Sequence, residues 1–182
     1  MDADTLVASL QAAVPEARIE RAPSIDLQTT FYVSREAVLA LARALRDRPE
    51  LAFTFLAELT AVDFWPKEPR YEVVYVLVSI ANRLRLRMKV RLPAGDPHIT
   101  TVSDVWPAAN WLEREVWDLF GIAFDGHPDP RRLLMPEDWQ GFPLRKDHPV
   151  QIRMTPNTGE PLQVTEEEFR SSLMKDRLTR GR

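Results

Sequence analysis

Glu115 and Asp118 stand three residues apart in LEREVWDLFG (112–121), close enough on one helical face to work as a general acid and a general base. That division of labour needs surroundings that push two carboxyl pKa values apart. Acidic side chains flanking Arg114 are ordinarily ion-paired instead, so the pair reads first as structural. A second constellation is Asp125-x-His127-x-Asp129, which gathers carboxylates and an imidazole in one turn and could hold a metal. The histidines, His98, His127 and His148, are scattered, each beside a proline, and none has the i,i+4 partner of a helical zinc site. A polar turn before Pro128 is the plainer reading. Neither catalytic nor metal-binding residues are assigned.

Composition narrows the field further. The chain has 182 residues and no cysteine, so disulfides, thiolate zinc sites and cysteine-held iron–sulfur clusters drop out together. No G-x-G-x-x-G, G-K-[ST] or G-x-S-x-G occurs, which removes the nucleotide and hydrolase signatures. Hydrophobic residues at 45% allow a real core, and a net charge of -3 speaks against nucleic acid as the main partner. The longest apolar run, VVYVLVSI (73–80), falls far short of the roughly 20 residues that span a bilayer. The acidic N-terminus lacks the basic and apolar regions of a secretory signal. The expectation is a soluble chain that meets a membrane only through partners.

Periodicity marks the elements that must position these residues. Leu6, Leu10 and Val14 fall at helical intervals, with Asp4 as N-cap and Pro15 as the stop. Thr29–Val33 has strand composition. Ser34 caps a helix whose Val38, Leu41, Ala42 and Leu45 form one apolar stripe before Pro49. Phe53–Val62 fits a strand or a short helix, and Trp65–Arg70 is a proline-rich loop. Glu72–Ser79 and Leu84–Leu92 make a hairpin about Ala81-Asn82. In its second strand, Leu84, Leu86, Met88, Val90 and Leu92 alternate with Arg85, Arg87, Lys89 and Arg91, giving one buried face and a ladder of cations. Without aromatic interleaving, that ladder reads as a solvated face or one matched to acidic partners. A last amphipathic helix, about Pro107 to Phe120, lines up Leu112, Val116, Leu119 and Phe120, sets Arg114 and Asp118 at i,i+4, and closes at Gly121. The class is α+β: a small mixed or antiparallel sheet with helices packed on it, over residues 1–124.

Beyond that point the texture changes. Seven of the 15 prolines follow Gly121, and no segment before Thr165 shows a helical or alternating period. Residues 125–182 therefore read as an extended docking arm, with a short helix after the capping box Thr165–Glu168. Between Glu113 and His148 lie Arg114, Arg131, Arg132, Arg145 and Lys146, eight acidic residues, and Trp117 and Trp139. Arginine and tryptophan favour desolvated interfaces, and prolines stiffen a segment before it docks. Such a segment lies across another protein, packs back on its own sheet, or does both.

The same residues carry a resemblance. EREVWDLFGIAF (113–124), GHPDPRRLLMPEDW (126–139) and PLRKD (143–147) resemble the signature of the C subunit of NADH-quinone oxidoreductase, the thirty-kilodalton subunit of respiratory complex I. AVDF after Thr60, VVYVLVS and TVSDVWPAANW extend the likeness over roughly residues 31–149. Two positions depart from the family pattern: Phe142 where histidine is common, and His148 where an aromatic, often tyrosine, is common. The resemblance implies a structural subunit of the peripheral arm that binds no cofactor itself, with NADH, FMN, iron–sulfur clusters and quinone in partner subunits. It implies packing against the quinone-site subunit related to the hydrogenase large subunit, on the cytoplasmic side of the bacterial inner membrane. The equivalent subunit of a membrane-bound hydrogenase or another quinone-reducing dehydrogenase fits the same residues. The partner interface expected on this footing comprises Arg114, Trp117, Asp118, Phe120, Asp129, Arg131, Arg132, Trp139, Arg145 and Asp147.

Overall fold

The computed structural model describes residues 3–26, 28–149 and 167. The order of elements is α1 (Ala3–Ala13), β1 (Ile19–Arg21), β2 (Thr30–Val33), α2 (Val38–Asp47), β3 (Phe55–Asp63), β4 (Tyr71–Ser79), β5 (Leu84–Leu92), β6 (His98–Thr100), α3 (Ala109–Phe120) and β7 (Ala123–Asp125). Strands β1 to β5 form one mixed sheet in the order β1-β2-β5-β4-β3, with β2 parallel to β5 and the other neighbours antiparallel. Strands β6 and β7 pair in parallel by themselves. This is the α+β architecture expected from the sequence.

The β4–β5 hairpin is its spine. Tyr71–Ser79 pairs with Leu84–Leu92 without a slip, because a period of two commits every apolar side chain of β5 to one face. Its turn takes four residues, Ile80–Arg83, rather than the Ala81-Asn82 pair alone, and Arg83 adopts a positive φ of 54°. Residues 53–62, ambiguous in sequence, resolve as strand β3, with a bulge between Leu56 and Glu58 that breaks the alternation.

Helices α1, α2 and α3 share one apolar core with the inner face of the sheet: Leu6 and Leu10, Leu41 and Leu45, Val116 and Phe120 join Leu59, Tyr75, Met88 and Val90. The opposite face carries Phe55, Glu58, Thr60 and Val62 of β3, Glu72, Val74, Val76 and Val78 of β4, and the four cations of β5. Among the described residues no helix covers it.

Several local expectations give way to packing. Ser34 makes no side-chain cap bond; a 3-10 turn at Arg35–Ala37 leads into α2 instead. Asp4 lies inside α1 rather than ahead of it. Strands β1, β6 and β7, three residues each, are too short to show a period and were not foreseen. The chain divides after His148, and the described residues up to that point form the first unit, which is compact. The stretch 125–148, placed by sequence in the arm, belongs to the first. The helix expected after Thr165 lies outside the described residues apart from Glu167.

Candidate docking surface

Helix α3 ends at Gly121, whose φ of 72° is the left-handed conformation that glycine adopts cheaply. A Cβ there would run into the Phe142 ring and the Arg145 guanidinium. The helix terminus is thus built to receive the chain folding back over it. Arg145 Nε donates to Phe120 O at 2.6 Å, which satisfies a carbonyl that the helix end leaves open, and Leu144 N donates to Leu119 O at 3.1 Å. The Arg145 guanidinium lies 4.4 Å from the Phe142 ring centre.

One turn earlier, Asp118 is buried with 0% exposure, yet its carboxylate is saturated. It accepts the backbone N–H of Leu133, Leu134 and Met135 at 3.0, 2.8 and 2.8 Å and Arg132 Nη1 at 2.6 Å. Burial opposes its charge, but the three amides and the guanidinium outweigh burial and hold its pKa below the ordinary carboxylate range. Arg132 also donates to Trp139 O at 2.9 Å and lies over the Trp117 ring. Arg114, one turn earlier on the same helix face, donates to the carbonyls of Arg131 and Arg132 at 3.0 Å each. The expected Arg114–Asp118 bridge does not form, because each side chain finds partners on the returning chain.

A third clamp holds the end of the segment. Arg70 Nε and Nη2 reach Asp63 at 2.9 and 2.8 Å, while Nη1 and Nη2 reach Asp147 at 3.0 and 2.7 Å. Asp63 also accepts Lys146 N at 2.9 Å. Burial pushes the Asp63 carboxyl up, but Arg70 and the backbone amides of Lys146 and Trp65 bring it down to about 2, and the two carboxylates raise Arg70 above its usual value. Neither Asp63 nor Arg70 was singled out from sequence. The available signal was an aspartate and an arginine bracketing the proline-rich loop 65–69.

Glu113 is a different case. It is buried, accepts Val102 N at 2.7 Å and the Thr101 hydroxyl, and lies 3.8 Å from His127. Burial raises its carboxyl to about 7, against the pull of those two donors. His127 uses both ring nitrogens on backbone, Nδ1 accepting Asp129 N at 3.0 Å and Nε2 facing Asn110 O at 3.0 Å. Asp125 meets His98 instead, so the Asp-x-His-x-Asp turn does not converge. Among the described residues no three acidic or histidine side chains gather as a metal site.

The ten residues expected at a partner interface therefore come together around α3 and the segment folded back on it. Phe120 is buried, Trp117 and Trp139 are half-buried, and Asp129 pairs with the exposed Arg131 at 2.6 Å. What the surface offers outward is a set outside the ten: Trp111, Leu134 and Leu144, exposed by 60%, 55% and 50%. Large apolar side chains left out in this way mark interaction surfaces when they cluster.

Fold and clamp together define an α+β domain with a segment bonded back onto its last helix. The chain belongs to the family of the respiratory-chain NADH dehydrogenase, 30 Kd subunit, whose model matches residues 31–153. It is 46% identical over 150 residues to the C subunit of NADH-quinone oxidoreductase from Roseiflexus castenholzii, covering 82% of this chain and 86% of that one. With the protein of the same name from Geobacter sulfurreducens it shares 51% identity over 125 residues, 68% of this chain and 76% of the other. Among solved structures it resembles a trypsin-resistant fragment of Nqo5, with 33% identity, a TM-score of 0.54, and coverage of 71% of this chain and 99% of that one. A chain of an archaeal respiratory membrane complex, the membrane-bound sulfane sulfur reductase, aligns at 28% identity with a TM-score of 0.62, covering 81% and 85%. Among the described residues no helix is long and apolar enough to cross a membrane.

Proposed function

We propose that this chain is a structural subunit of the peripheral arm of a proton-pumping NADH:quinone oxidoreductase. It binds no cofactor of its own and supports the quinone-reducing module through protein–protein contacts. Its partner is the quinone-site subunit related to the hydrogenase large subunit, and it meets the cytoplasmic side of the membrane through that neighbour. The observation that carries this reading is the division of labour in residues 111–148. The buried Arg114 and Asp118 and the half-buried Arg145 hold the chain to itself, while Trp111, Leu134 and Leu144 stay outside. A segment ordered in advance loses little entropy on docking, so its exposed apolar side chains convert more fully into affinity.

A second reading has its own support. The likeness to a chain of a sulfane sulfur reductase complex fits the same docking role in an assembly with a different electron acceptor. Both readings are tested by expressing the chain carrying Leu134→Asp and Leu144→Asp in its host and purifying the assembly by another subunit. The expected result is a loss of roughly tenfold or more in the amount of this chain retained, with the isolated variant melting as the parent does. Unchanged retention would overturn the docking role. The identity of the co-purified chains, an NADH-binding flavoprotein or not, separates the two assemblies.

A further inference from the structure

The helix-free face of the sheet is the largest feature that this docking role leaves unused. Sheets that carry apolar side chains on both faces bury both against other layers. Here the inner face meets α1, α2 and α3, while the outer face is divided lengthwise. Phe55 and Val62 near the two ends of β3 stand exposed with Glu58 and Thr60 between them, and Val76 and Val78 on β4 are half-covered. Val74 is buried but lies outside the common core, shielded by its own neighbours on this face. Beside this apolar strip runs β5 with Arg85, Arg87, Lys89 and Arg91.

Two of those cations are already matched. Lys89 Nζ binds Glu72 at 2.7 Å, and Arg87 Nη2 binds Asp26 at 2.6 Å and Gln28 at 2.7 Å. Among the described residues, neither Arg85 nor Arg91 has a carboxylate partner. The Arg91 guanidinium lies over the Tyr32 ring, 3.6 Å from its centre, a stacking contact that holds it on this face. The two unmatched cations sit at opposite ends of the strand, six residues and so about 20 Å apart. On an α-helix that distance is about 13 residues, or four turns.

We propose that this face is the seat of an amphipathic helix from another subunit. The apolar stripe of that helix lies along Phe55, Val62, Val76 and Val78, and two acidic side chains about four turns apart reach Arg85 and Arg91. The inference rests on the reading of this chain as a subunit of a larger assembly. Five apolar side chains and the carboxylates of Glu58 and Glu72 share the face with the cations, so it suits a protein layer better than a nucleic-acid backbone.

The test uses the assembled complex, with the photo-crosslinking residue p-benzoylphenylalanine at Val76 and, separately, at Leu134. The expected adduct at Val76 maps to a helical peptide of a neighbouring subunit with two acidic residues about 13 apart. Combined Arg85→Glu and Arg91→Glu lowers its yield roughly tenfold, and lysines at the two mapped acidic positions restore it. The isolated double variant melts as the parent does, since both side chains are outside the core. A probe at Val76 that links to nothing while the Leu134 probe links to a neighbour overturns this inference and leaves the docking role standing. An adduct with lipid, nucleic acid, a second copy of this chain or its own residues 150–182 overturns it equally. Silence at both positions, with the chain purifying alone, overturns the subunit reading itself.

Discussion

The β4–β5 hairpin and the segment 121–148 are both rich in charge, and they use it in opposite ways. In the hairpin the backbone bonds to itself over two nine-residue strands, apolar burial supplies the stability, and the cations stand aside on the outer face. Beyond β7, residues 126–148 contain neither strand nor helix, and beside a few local backbone bonds many of their backbone groups pair with side chains. Leu133, Leu134 and Met135 donate to Asp118, Lys146 donates to Asp63, and the carbonyls of Arg131 and Arg132 accept Arg114. Buried backbone groups must find partners somewhere. Where the sheet is one answer distributed over many residues, the segment is a few answers, each concentrated in one charged group. Such a segment presents a fixed outer surface without a core of its own, but each anchor is a single point of failure.

Substitutions can break or sharpen this contrast. The largest loss is expected in the hairpin: Leu86→Ala, at a site with no exposure, should cost about 3–4 kcal/mol and lower the melting of the whole unit. Asp118→Ala should come close behind, at about 3 kcal/mol, because it strands three amides and a guanidinium, and Asp118→Asn should recover part of it. Chemical denaturation measures both. A cost under about 1 kcal/mol at Asp118 would erase the contrast. Gly121→Ala, which forces a side chain onto a φ of 72° and into Phe142, should cost about 1–3 kcal/mol and act through the segment rather than the sheet.

Acidity separates two buried carboxyls. Asp63 is depressed to about 2, so its contribution is present above the ordinary carboxylate value and fades as pH falls toward 2. Glu113 is raised to about 7, so the folded state favours its protonated form. Its contribution is complete below about 4.5 and is lost as pH climbs through 7. Glu113→Gln should flatten the fall of stability across that window, on the order of 2 kcal/mol, as followed by melting at a series of pH values. An unchanged slope would place the titration elsewhere. The smallest effect is expected at Leu144→Ser, within about 0.5 kcal/mol for the isolated chain, since half of that side chain already meets water.

What could be read from sequence follows the same division. The hairpin, α2 and α3 announce themselves by period, because burial on one face repeats every two or 3.6 residues. Strand β3 was ambiguous because the bulge at Leu56/Glu58 interrupts its alternation. In the segment, residue types marked the right stretch but not the partners. Arg114 and Asp118 stand at helix spacing, yet their bonds reach residues 14 to 18 positions away, which no local pattern encodes. Arg70 and Asp63 were invisible for the same reason, since Arg70 pairs with Asp147 across 77 positions. Leu134 and Leu144 show the converse, as apolar residues that no period marks as exposed and that packing leaves out.

Amide hydrogen exchange on the isolated chain examines the pre-formed segment most directly. The amides of Leu133, Leu134 and Met135 should be protected in the parent chain and lose that protection in Asp118→Ala, while those of β4 and β5 keep theirs. Exchange at 133–135 as fast as in an unstructured peptide, in the parent chain with no partner present, would contradict the account.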